Sequence, residues 1–577
     1  MRRILIFTDL DGSLLDTTTY SYEAAGDALA LLERLGASLI LVSSKTRSEM
    51  EPLRRQLNNH HPFIVENGGA VFIPRGTFPF PIEEASDRNG YEALEIGTPY
   101  ARLRTALNSI REELGCRLRG FGDLSVKEVA HLTGLPAAEA LLATQREYDE
   151  PFVVDGEGVA WDIVADLTTE IGPRLAGSPR EAAARDWAVV RLKALGFQNV
   201  RVEPFTIAGW VRGAESAELT GPYPQRLHIT ALGNSAPTPV GGLTAPVVYF
   251  ASLDALKAAP AGSLAGKIAY IDHAFVASQD GSGYGPFGQA RRQGPAIGAS
   301  KGALAVVIRS IGTDHNRDPH TGGTNFPEGT KAIPAGAVSG PDADLIARIA
   351  GRGQAMTIHL VLEGHAVGEL PSGNVLAELP GRDPSLAPVL LACHLDSWDL
   401  GTGAIDDGAG CGIIAAAALN VAKHGQPLRT IRLLWAGSEE VGVFGGAAYA
   451  KAHASEPHAL AMESDFGADR VWRVSFNLAA ANKPLAERIA AALAPLGIPV
   501  NAAKAGGGAD IGEIAKSSGA AVIDLDQDGT RYFDLHHTPD DTLDKIDPAQ
   551  LAQNVEAWTR VLAIVANETG PISGAAQ

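Results

Sequence analysis

The chain has 577 residues, of which 45% are hydrophobic and 20% are charged, and its formal net charge is -19. This length exceeds what a single hydrophobic core usually holds, so two to four domains are expected. The negative charge argues against nucleic acid and anionic membranes as partners. No segment approaches the roughly 20 apolar residues of a membrane span, so none is predicted.

The first residues, MRRILIFTDLDG, lack the long apolar run of an export signal, because Thr8 and Asp9 interrupt it. By sequence the protein is therefore expected in the cytoplasm. The only cysteines are Cys116, Cys393 and Cys411, which are too few for a disulfide framework and include no CxxC pair. We interpret Cys393 and Cys411 as small apolar residues of the core.

Strand and helix patterns alternate through the first 157 residues. The predicted elements are a buried strand at 2–8, a helix at 21–36, a strand at 38–43, a helix near 46–57 and a strand at 63–66. This alternation predicts a doubly wound, Rossmann-like parallel sheet. The pattern fades near 150–158, where we place the first domain boundary.

A second α/β region follows, and a β-rich module interrupts it. Residues 180–196 form an amphipathic helix that Gly196 closes. Short strands with many glycines and prolines follow, and the α/β pattern then resumes and runs to a last helix. We predict an α/β/α domain of residues 158–235 and 368–577, with an inserted β-rich domain of residues 236–367.

Acidic and imidazole side chains follow the predicted strands of this α/β/α domain, at the sheet edge where open α/β sheets bind ligands. His394 and Asp396 end the strand APVLLACHLD and share one face of it, so the Asp396 carboxylate can orient a metal-bound His394. Asp406 opens a helix behind a glycine-rich loop, where a carboxylate can bridge two cations.

Two further strands and one turn extend this pattern. The strand TIRLLWAGSEE ends in Glu439 and Glu440, whose side chains point to opposite sides, so one can bind metal while the other accepts a proton from water. Asp465 ends the strand LALAMESD, and a turn presents His536 and His537. Nitrogen and oxygen ligands without thiolates fit zinc or a similar ion. Two such ions could activate one water for hydrolysis.

The motifs HLDSWDLGTGAIDDG, the Glu-Glu pair, MESD and FDLHHTPDDT resemble the zinc exopeptidases of peptidase family 28, over about residues 158–572. The resemblance implies two Zn²⁺ ions and short peptides as substrates. The implied ligands are His394 and Asp465 for one ion, Glu440 and His537 for the other, and Asp406 between them.

The same resemblance assigns Glu439 as the general base. His537 is preferred to His536 because it stands four residues before Asp541, which is the family's spacing. Asp510, in GGGADIG, is expected near the substrate cleft. The inserted module resembles the protease-associated domain that these enzymes carry, and a homodimer stays open as a partner.

The first domain has a phosphoryl-transfer pattern of its own. Asp9 and Asp11 lie just past a buried strand, where Asp9 suits a nucleophile, Asp11 an acid/base, and Mg²⁺ would neutralise charge. Ser43, which could bind a phosphoryl oxygen, and Lys45 lie where the next strand ends. With ENGGAVF and REYDEPFVV, these residues resemble the haloacid-dehalogenase superfamily, near the mannosyl-3-phosphoglycerate phosphatases.

This second resemblance stops at about residue 157, before the lysine and the late acidic pair that such phosphatases need. We therefore expect an incomplete sheet and little or no phosphatase activity.

Three functions are weighed on this basis. They are a zinc aminopeptidase or dipeptidase, a sugar-phosphate phosphatase acting through Asp9, and a non-catalytic receptor-like binding protein. Receptors of the transferrin type have a similar fold but lose the metal ligands, whereas this chain keeps them together with Glu439. The peptidase is therefore favoured, although its bacterial relatives are usually exported and this chain shows no signal peptide.

Overall fold

The structure, a computed structural model, describes residues 4–16, 21–114, 118–154 and 158–575. Cys116 and the junction at residues 155–157 lie outside the described residues. The chain divides into two compact units, Met1–Glu157 (unit 1) and Gly158–Gln577 (unit 2).

Unit 1 has a six-stranded sheet with the order β1-β2-β3-β4-β6-β5 and a small two-stranded sheet of β7 and β8. Its elements are β1 (Leu5–Asp9), α1 (Gly26–Leu35), β2 (Ser38–Val42), α2 (Arg47–Gln56), β3 (Phe63–Val65), β4 (Ala70–Pro74), β5 (Ser86–Arg88), β6 (Tyr91–Glu95), α3 (Tyr100–Leu114), β7 (Leu118–Gly120), α4 (Val126–Thr133), α5 (Ala137–Ala143) and β8 (Phe152–Val154).

The parallel pairing of β1, β2 and β3 confirms the Rossmann-like start that the sequence predicts. Thr46 and Glu49 cap the start of α2 reciprocally, which explains why that helix begins directly after the β2 loop. β1 is an edge strand, and its Leu5 and Phe7 are 56% and 59% exposed. Within the described residues, no strand pairs with the free side of β1, as expected for an incomplete sheet.

Unit 2 contains a seven-stranded sheet with the order β22-β23-β21-β19-β20-β18-β9. The elements outside the inserted module are α6 (Val159–Asp166), α7 (Pro179–Ala194), β9 (Gln198–Val211), β18 (His365–Leu379), β19 (Val389–His394), α11 (Ala409–Lys423), β20 (Ile431–Ala436), α12 (Phe444–Ala452), β21 (Leu460–Glu463), β22 (Val471–Asn477), α13 (Lys483–Leu493), α14 (Gly508–Ser518), β23 (Ala521–Gln527), α15 (Tyr532–Leu535) and α16 (Pro548–Val565).

The central strands β20, β19, β21 and β23 are parallel and buried on both faces. Successive β19 residues alternate between two cores: Leu391 packs in the core that contains α6, α11 and α16, whereas Leu390 and Ala392 pack in the core beneath α12 and α14. Helices on both faces explain why β19 is hydrophobic along its length. The predicted three-layer α/β/α architecture is confirmed.

A second sheet of unit 2 has eight strands in the order β11-β10-β17-β13-β14-β15-β16-β12. This inserted module contains β10 (Glu215–Gly221), β11 (Gln225–Leu227), β12 (Ile229–Ala231), β13 (Leu243–Phe250), α8 (Leu253–Ala258), β14 (Ile268–Ile271), α9 (Tyr284–Ser300), β15 (Ala305–Arg309), β16 (Ala335–Val338), α10 (Gly340–Gly351) and β17 (Met356–Leu362).

The sheet of the inserted module begins at Glu215, whereas the sequence boundary was set at residue 236. The difference arises because β10 pairs with β17, and β12 with β16, across long sequence separations. Local composition does not encode such pairing, so the first three strands could not be assigned to the module from sequence.

One described helical segment, Ala404–Lys423, is long and apolar enough to cross a membrane, with a mean hydropathy of 1.3. Most of it, 89%, is buried inside unit 2. Its cover consists of α6 and α16, which is the environment of the core helix of a globular domain.

Candidate metal centre

The parallel strands β19, β20 and β21 end at one edge of the sheet, and each has acidic or imidazole side chains at its end. His394 is the last residue of β19, Glu439 and Glu440 follow β20, and Asp465 follows β21. The register pairs His394 with Ala436, so the end of β20 lies beside it. Neighbouring parallel strands thus gather residues that are distant in sequence.

Two imidazoles face one another across a shared carboxylate. His394 Nε2 lies 3.1 Å from Asp406 Oδ1 and 3.3 Å from Asp465 Oδ1. His537 Nε2 lies 3.0 Å from Glu440 Oε2 and 3.3 Å from Asp406 Oδ2. Each oxygen of Asp406 therefore faces a different histidine, so two sets of three donors share one carboxylate.

The charges of this cluster fit bound cations. Burial raises the pKa of Glu440 and Asp465 above the ordinary values, and the negative charge of Asp406 adds to this effect in both. Burial alone would raise the pKa of Asp406 as well, but hydrogen bonds from the two histidines hold it far below. Glu440 Oε1 is buried without a hydrogen-bond partner among the described residues. Buried carboxylates and imidazoles without thiolates form a donor set suited to zinc.

The two histidines are the main positive groups in this cluster. Burial would lower the pKa of each imidazole, but Glu440 and Asp406 raise the pKa of His537 to about 10. Asp465 and Asp406 raise that of His394 well above its usual value. In both rings, the neighbouring carboxylates together shift the pKa more than burial does.

Asp396 acts differently from the sequence expectation. Its carboxylate accepts hydrogen bonds from the backbone N–H of Glu439 at 3.0 Å and of Glu440 at 3.3 Å. His394 Nδ1 lies 2.9 Å from the carbonyl oxygen of Asp396 but 3.7 Å from its carboxylate. The imidazole is therefore oriented by a backbone oxygen, because the carboxylate is already holding the Glu-Glu pair.

Two neighbours shape the loop that carries Asp406. Asp407 accepts hydrogen bonds from the N–H of His394 at 3.2 Å and of Gly410 at 3.0 Å. Asp541 Oδ1 accepts a hydrogen bond from Ile405 N–H at 2.6 Å. Only Asp406 of the Asp-Asp pair therefore faces both histidines.

Arg174 is a supporting residue that sequence reasoning missed. It is fully buried and donates to the carbonyl oxygens of Leu395, Thr402 (2.6 Å) and Gly403 (2.9 Å). These carbonyls flank the loop between His394 and Asp406, so one cation holds its two ends. Arg174 lies in the Gly/Pro-rich turn GPRLAGSP, and no local pattern of this turn indicates where the arginine side chain points.

The inserted module contacts His537 directly. Thr321 N–H donates to the carbonyl oxygen of His537 at 3.0 Å, and His537 Nδ1 lies 3.2 Å from the carbonyl oxygen of Thr321. Arg291 Nη1 lies 3.0 Å from the same Nδ1. His536, by contrast, lies among aromatic rings with Nε2 3.3 Å from the Tyr284 hydroxyl, and burial lowers its pKa strongly. The preference for His537 over His536 agrees with this geometry.

A cavity of about 270 Å³ lies beside Asp465. Gly508 and Ala509 line it, whereas the neighbouring Asp510 is buried behind it and accepts a hydrogen bond from Gly446 N–H at 3.1 Å. Burial raises the pKa of Asp510 to about 7. Asp510 is thus close to the cleft without being part of its described lining.

In unit 1, the predicted residues are brought together in part. Lys45 Nζ forms an ion pair with Asp11 Oδ1 at 3.2 Å, and Ser43 Oγ accepts a hydrogen bond from Lys45 N–H at 3.1 Å. Asp9 Oδ1 accepts a hydrogen bond from the N–H of the next residue, Leu10, at 2.8 Å. Three of the four residues therefore form one cluster at the end of β1 and β2.

Cys393 and Cys411 form a disulfide, which corrects their interpretation as packing residues. The bond joins the end of β19 to α11, with the two Cα atoms 5.3 Å apart. The cysteines are 18 positions apart in sequence, so their proximity depends on how α11 packs against the sheet. It links the strand that ends in His394 to the helix that follows Asp406.

Comparison with known proteins gives a result for each unit. The family model of peptidase family M28 matches residues 374–562, and the model of the haloacid dehalogenase-like hydrolases matches residues 6–77. Carboxypeptidase Q of Bos taurus is 34% identical over 415 residues, which are 71% of this chain and 85% of that protein. A crystal structure of a peptidase M28 precursor from Shewanella amazonensis is 44% identical, covers 73% of this chain and 95% of its own, and has a TM-score of 0.71.

A zinc aminopeptidase from Bacillus subtilis shares the fold at 18% identity, with a TM-score of 0.52 over 71% of this chain and 95% of its own. For unit 1, a glucosyl-3-phosphoglycerate/mannosyl-3-phosphoglycerate phosphatase of Methanococcoides burtonii is 45% identical over 168 residues. Those residues are 29% of this chain and only 62% of that phosphatase.

Proposed function

This chain belongs to peptidase family M28, and from that membership we propose that unit 2 is a two-zinc exopeptidase that hydrolyses dipeptides or short peptides with a free terminus. The observation that carries the proposal is the position of Asp406, whose two oxygens face His394 and His537 separately. The proposed ligands are His394 and Asp465 for one zinc ion and Glu440 and His537 for the other, and Asp406 is shared by both.

Zinc bound by these residues would polarise the scissile carbonyl and lower the pKa of a water molecule. Glu439 then accepts the proton of the attacking water and returns it to the leaving amine. Burial, and the negative charges of Asp465 and Glu440, raise the pKa of its carboxyl group, as suits a group that alternates between base and acid. Asp396 holds the Glu439 backbone and keeps that carboxyl in place.

The test is a panel of dipeptides and aminoacyl reporters, assayed on protein whose zinc content is measured in parallel. We expect hydrolysis together with about two zinc ions per chain, loss of activity on chelation, and recovery when zinc is added. Folded, zinc-loaded protein that cleaves none of these substrates would overturn the proposal. A non-catalytic receptor is disfavoured because every proposed ligand and Glu439 are present.

For unit 1 we propose no phosphatase activity of its own. The chain matches less than two thirds of the length of its phosphatase relative, and β1 is an edge strand in the described part of the sheet. Mg²⁺ at Asp9 and Asp11 stays a prediction of the sequence. Magnesium-dependent release of phosphate from mannosyl-3-phosphoglycerate would contradict this proposal.

The location of the protein is a separate proposal. A disulfide between Cys393 and Cys411 is typical of oxidising compartments. We propose an oxidising compartment on the basis of this bond. When cells are quenched with acid and the protein is then alkylated under denaturing conditions, Cys393 and Cys411 should stay unlabelled until a reductant is added, because both are buried and native alkylation would not reach them. Labelling of both without reductant would contradict the proposal.

A further inference from the structure

The cavity beside the proposed metal centre is lined by acidic residues. Five carboxylates line it, those of Asp280, Glu463, Asp465, Asp524 and Asp526. No lysine, arginine or histidine is among its lining residues in the described part of the chain. A cleft with this lining attracts cationic groups and repels anionic ones.

Three of these carboxylates are already held by donors of the protein. Glu463 accepts hydrogen bonds from the first turn of α14, and Asp524 accepts them from the glycines that precede this helix. Asp526 Oδ2 lies 2.5 Å from Arg473 Nε. Asp465 belongs to the proposed metal ligands. Asp280 is the remaining acid of the wall, and it accepts a hydrogen bond from Ser282 of its own loop.

Asp280 lies on the loop between β14 and α9 of the inserted module, and its neighbour Gln279 anchors that loop. The Gln279 carbonyl oxygen accepts a hydrogen bond from Gly529 N–H at 2.9 Å. The Gln279 side-chain Nε2 donates to Asp528 Oδ2 at 2.8 Å. Both partners belong to the loop that follows β23, so the module is fastened to the peptidase sheet one residue before Asp280.

Gly281, the residue after Asp280, packs closely against Phe466. Gly281 has φ +65°, and a Cβ there would lie 2.6 Å from Cζ of Phe466, itself a residue of the cavity wall. Only glycine allows this approach. Asp280 is therefore held at the rim of the cavity by the contacts of both adjacent residues.

The charge of Asp280 is stable at neutral pH. Its Oδ1 accepts a hydrogen bond from Ser282 N–H at 3.1 Å. Hydrogen bonds from the side chain and backbone of Ser282 lower the pKa of this exposed carboxyl group. The inserted module thus adds a permanent negative charge to the cleft.

We propose that Asp280 determines specificity by selecting peptides with a basic side chain beside the cleaved bond. This inference rests on the proposed peptidase function and adds the substrate class. A lysine or arginine side chain lying in the cavity approaches Asp280 and the acidic wall, whereas a glutamate side chain is repelled. The inserted module then contributes to substrate choice and does more than cover the sheet.

The experiment measures kcat/KM on six dipeptides with zinc-loaded, full-length protein. Lys-Ala, Gln-Ala and Glu-Ala test the residue before the bond, and Ala-Lys, Ala-Gln and Ala-Glu test the residue after it. In one of the two series we expect the parent protein to prefer lysine to glutamine and glutamine to glutamate. The preference should shrink as salt is added, because salt screens exposed charges.

Asp280→Asn should lower kcat/KM for the preferred lysine dipeptide about fivefold, which is the effect of one partly exposed charge pair, and change the glutamine dipeptide by less than about twofold. Asp280→Lys should reverse the preference. Asp254→Asn is the matched control, because Asp254 is a highly exposed acid of the same module outside the cavity wall. It should leave all six values unchanged.

The outcomes separate the two proposals. Hydrolysis of the glutamine dipeptides with equal rates for lysine and glutamate would overturn the inference and leave the peptidase intact. An equal loss on all six dipeptides in Asp280→Asn would also overturn it, since a structural role affects every substrate. No hydrolysis of any dipeptide by the parent would overturn the proposed function itself.

Discussion

At the level of single residues, the chemistry of the cleft depends on which carboxylates the protein itself has already engaged. The carboxylates of Asp396 and Asp407 accept hydrogen bonds from backbone N–H groups, whereas both oxygens of Asp406 face histidine rings. Glu440 keeps one buried oxygen without a described partner. Adjacent or similarly placed acids therefore have different roles: Asp396 and Asp407 hold the backbone, whereas Asp406 and Glu440 are available to bind metal.

Glu439 gives the most direct test at this scale. Glu439→Gln should retain zinc, because the two donor sets do not include it, and lower kcat about 10³-fold, within the usual contribution of a general base. Zinc content and steady-state kinetics measure both quantities. Glu440→Gln is the matched control and should lose zinc as well as activity. A Glu439→Gln protein with near-normal kcat would remove Glu439 from the mechanism.

His458 predicts a pH dependence of stability. It is buried with Nε2 2.8 Å from the Tyr449 hydroxyl, and burial, with the nearby charge of Arg432, lowers its pKa from 6.5 to about 4. Unfolding restores the ordinary pKa, so between these values the unfolded chain binds a proton that the folded chain does not. The contribution of neutral His458 to the free energy of unfolding is therefore fully present above about pH 6.5 and is lost as the pH falls toward 4.

His458→Gln should remove this dependence. Between about pH 7 and pH 4, the free energy of unfolding of the parent should fall by ~2–3 kcal/mol more than that of the variant. Urea unfolding of unit 2 at several pH values measures the difference. His365→Gln, at an exposed histidine, is the control with the same chemical change. Parallel curves for parent and His458→Gln would contradict the prediction.

At the level of elements, the inserted module takes part in the metal centre through the loop that contains Thr321. That loop is bonded to His537 through its N–H and its carbonyl oxygen, and Arg291 of α9 lies against it. Hydrogen bonds that orient a ligating histidine are part of a metal site. The module therefore orients His537 through the Thr321 loop and also contributes Asp280 to the lining of the cavity.

Gly322 tests this support. Its φ is +132°, and a Cβ would lie 2.3 Å from Arg291 Nη1, so Gly322→Ala must displace the loop or the arginine. We expect about tenfold weaker zinc retention against a competing chelator, the lower end of the effect of disturbing such outer hydrogen bonds. Gly329→Ala is the matched control, because it has φ +79° but open space around the new Cβ. Equal zinc retention in both variants would contradict the role of the loop.

At the level of the whole molecule, the proposed peptidase chemistry belongs to unit 2. Every proposed ligand, Glu439 and the inserted module lie after residue 157. Unit 1 has its own core around Leu41, Phe63 and Phe72. The two activities suggested by the two family matches are therefore assigned to different parts of the chain.

A truncated protein of residues 158–577 should keep kcat/KM within about twofold of the full chain, since no proposed ligand and no part of the core of unit 2 is removed. Dipeptide hydrolysis at matched zinc content measures this. Glu439→Gln in the truncated protein controls for contaminating peptidases. A truncated protein that folds and binds zinc but is inactive would show that unit 1 contributes to catalysis.

The α/β class and the strand ends that bear His394, Glu439, Glu440 and Asp465 can be predicted from the amino-acid sequence. This is possible because buried strands, turns and their flanking polar residues are local patterns. The same locality explains why the incomplete sheet of unit 1 could be foreseen from the point where its resemblance stops.

Which side chains come into contact depends on the folded structure. The Arg174 bonds to the loop around Asp406, the Cys393–Cys411 disulfide, the strands β10 to β12 of the inserted module and the approach of Asp280 to the cleft all join residues far apart in sequence. The energy of each contact depends on how separate elements pack against one another, and packing is a property of the folded chain rather than of any segment.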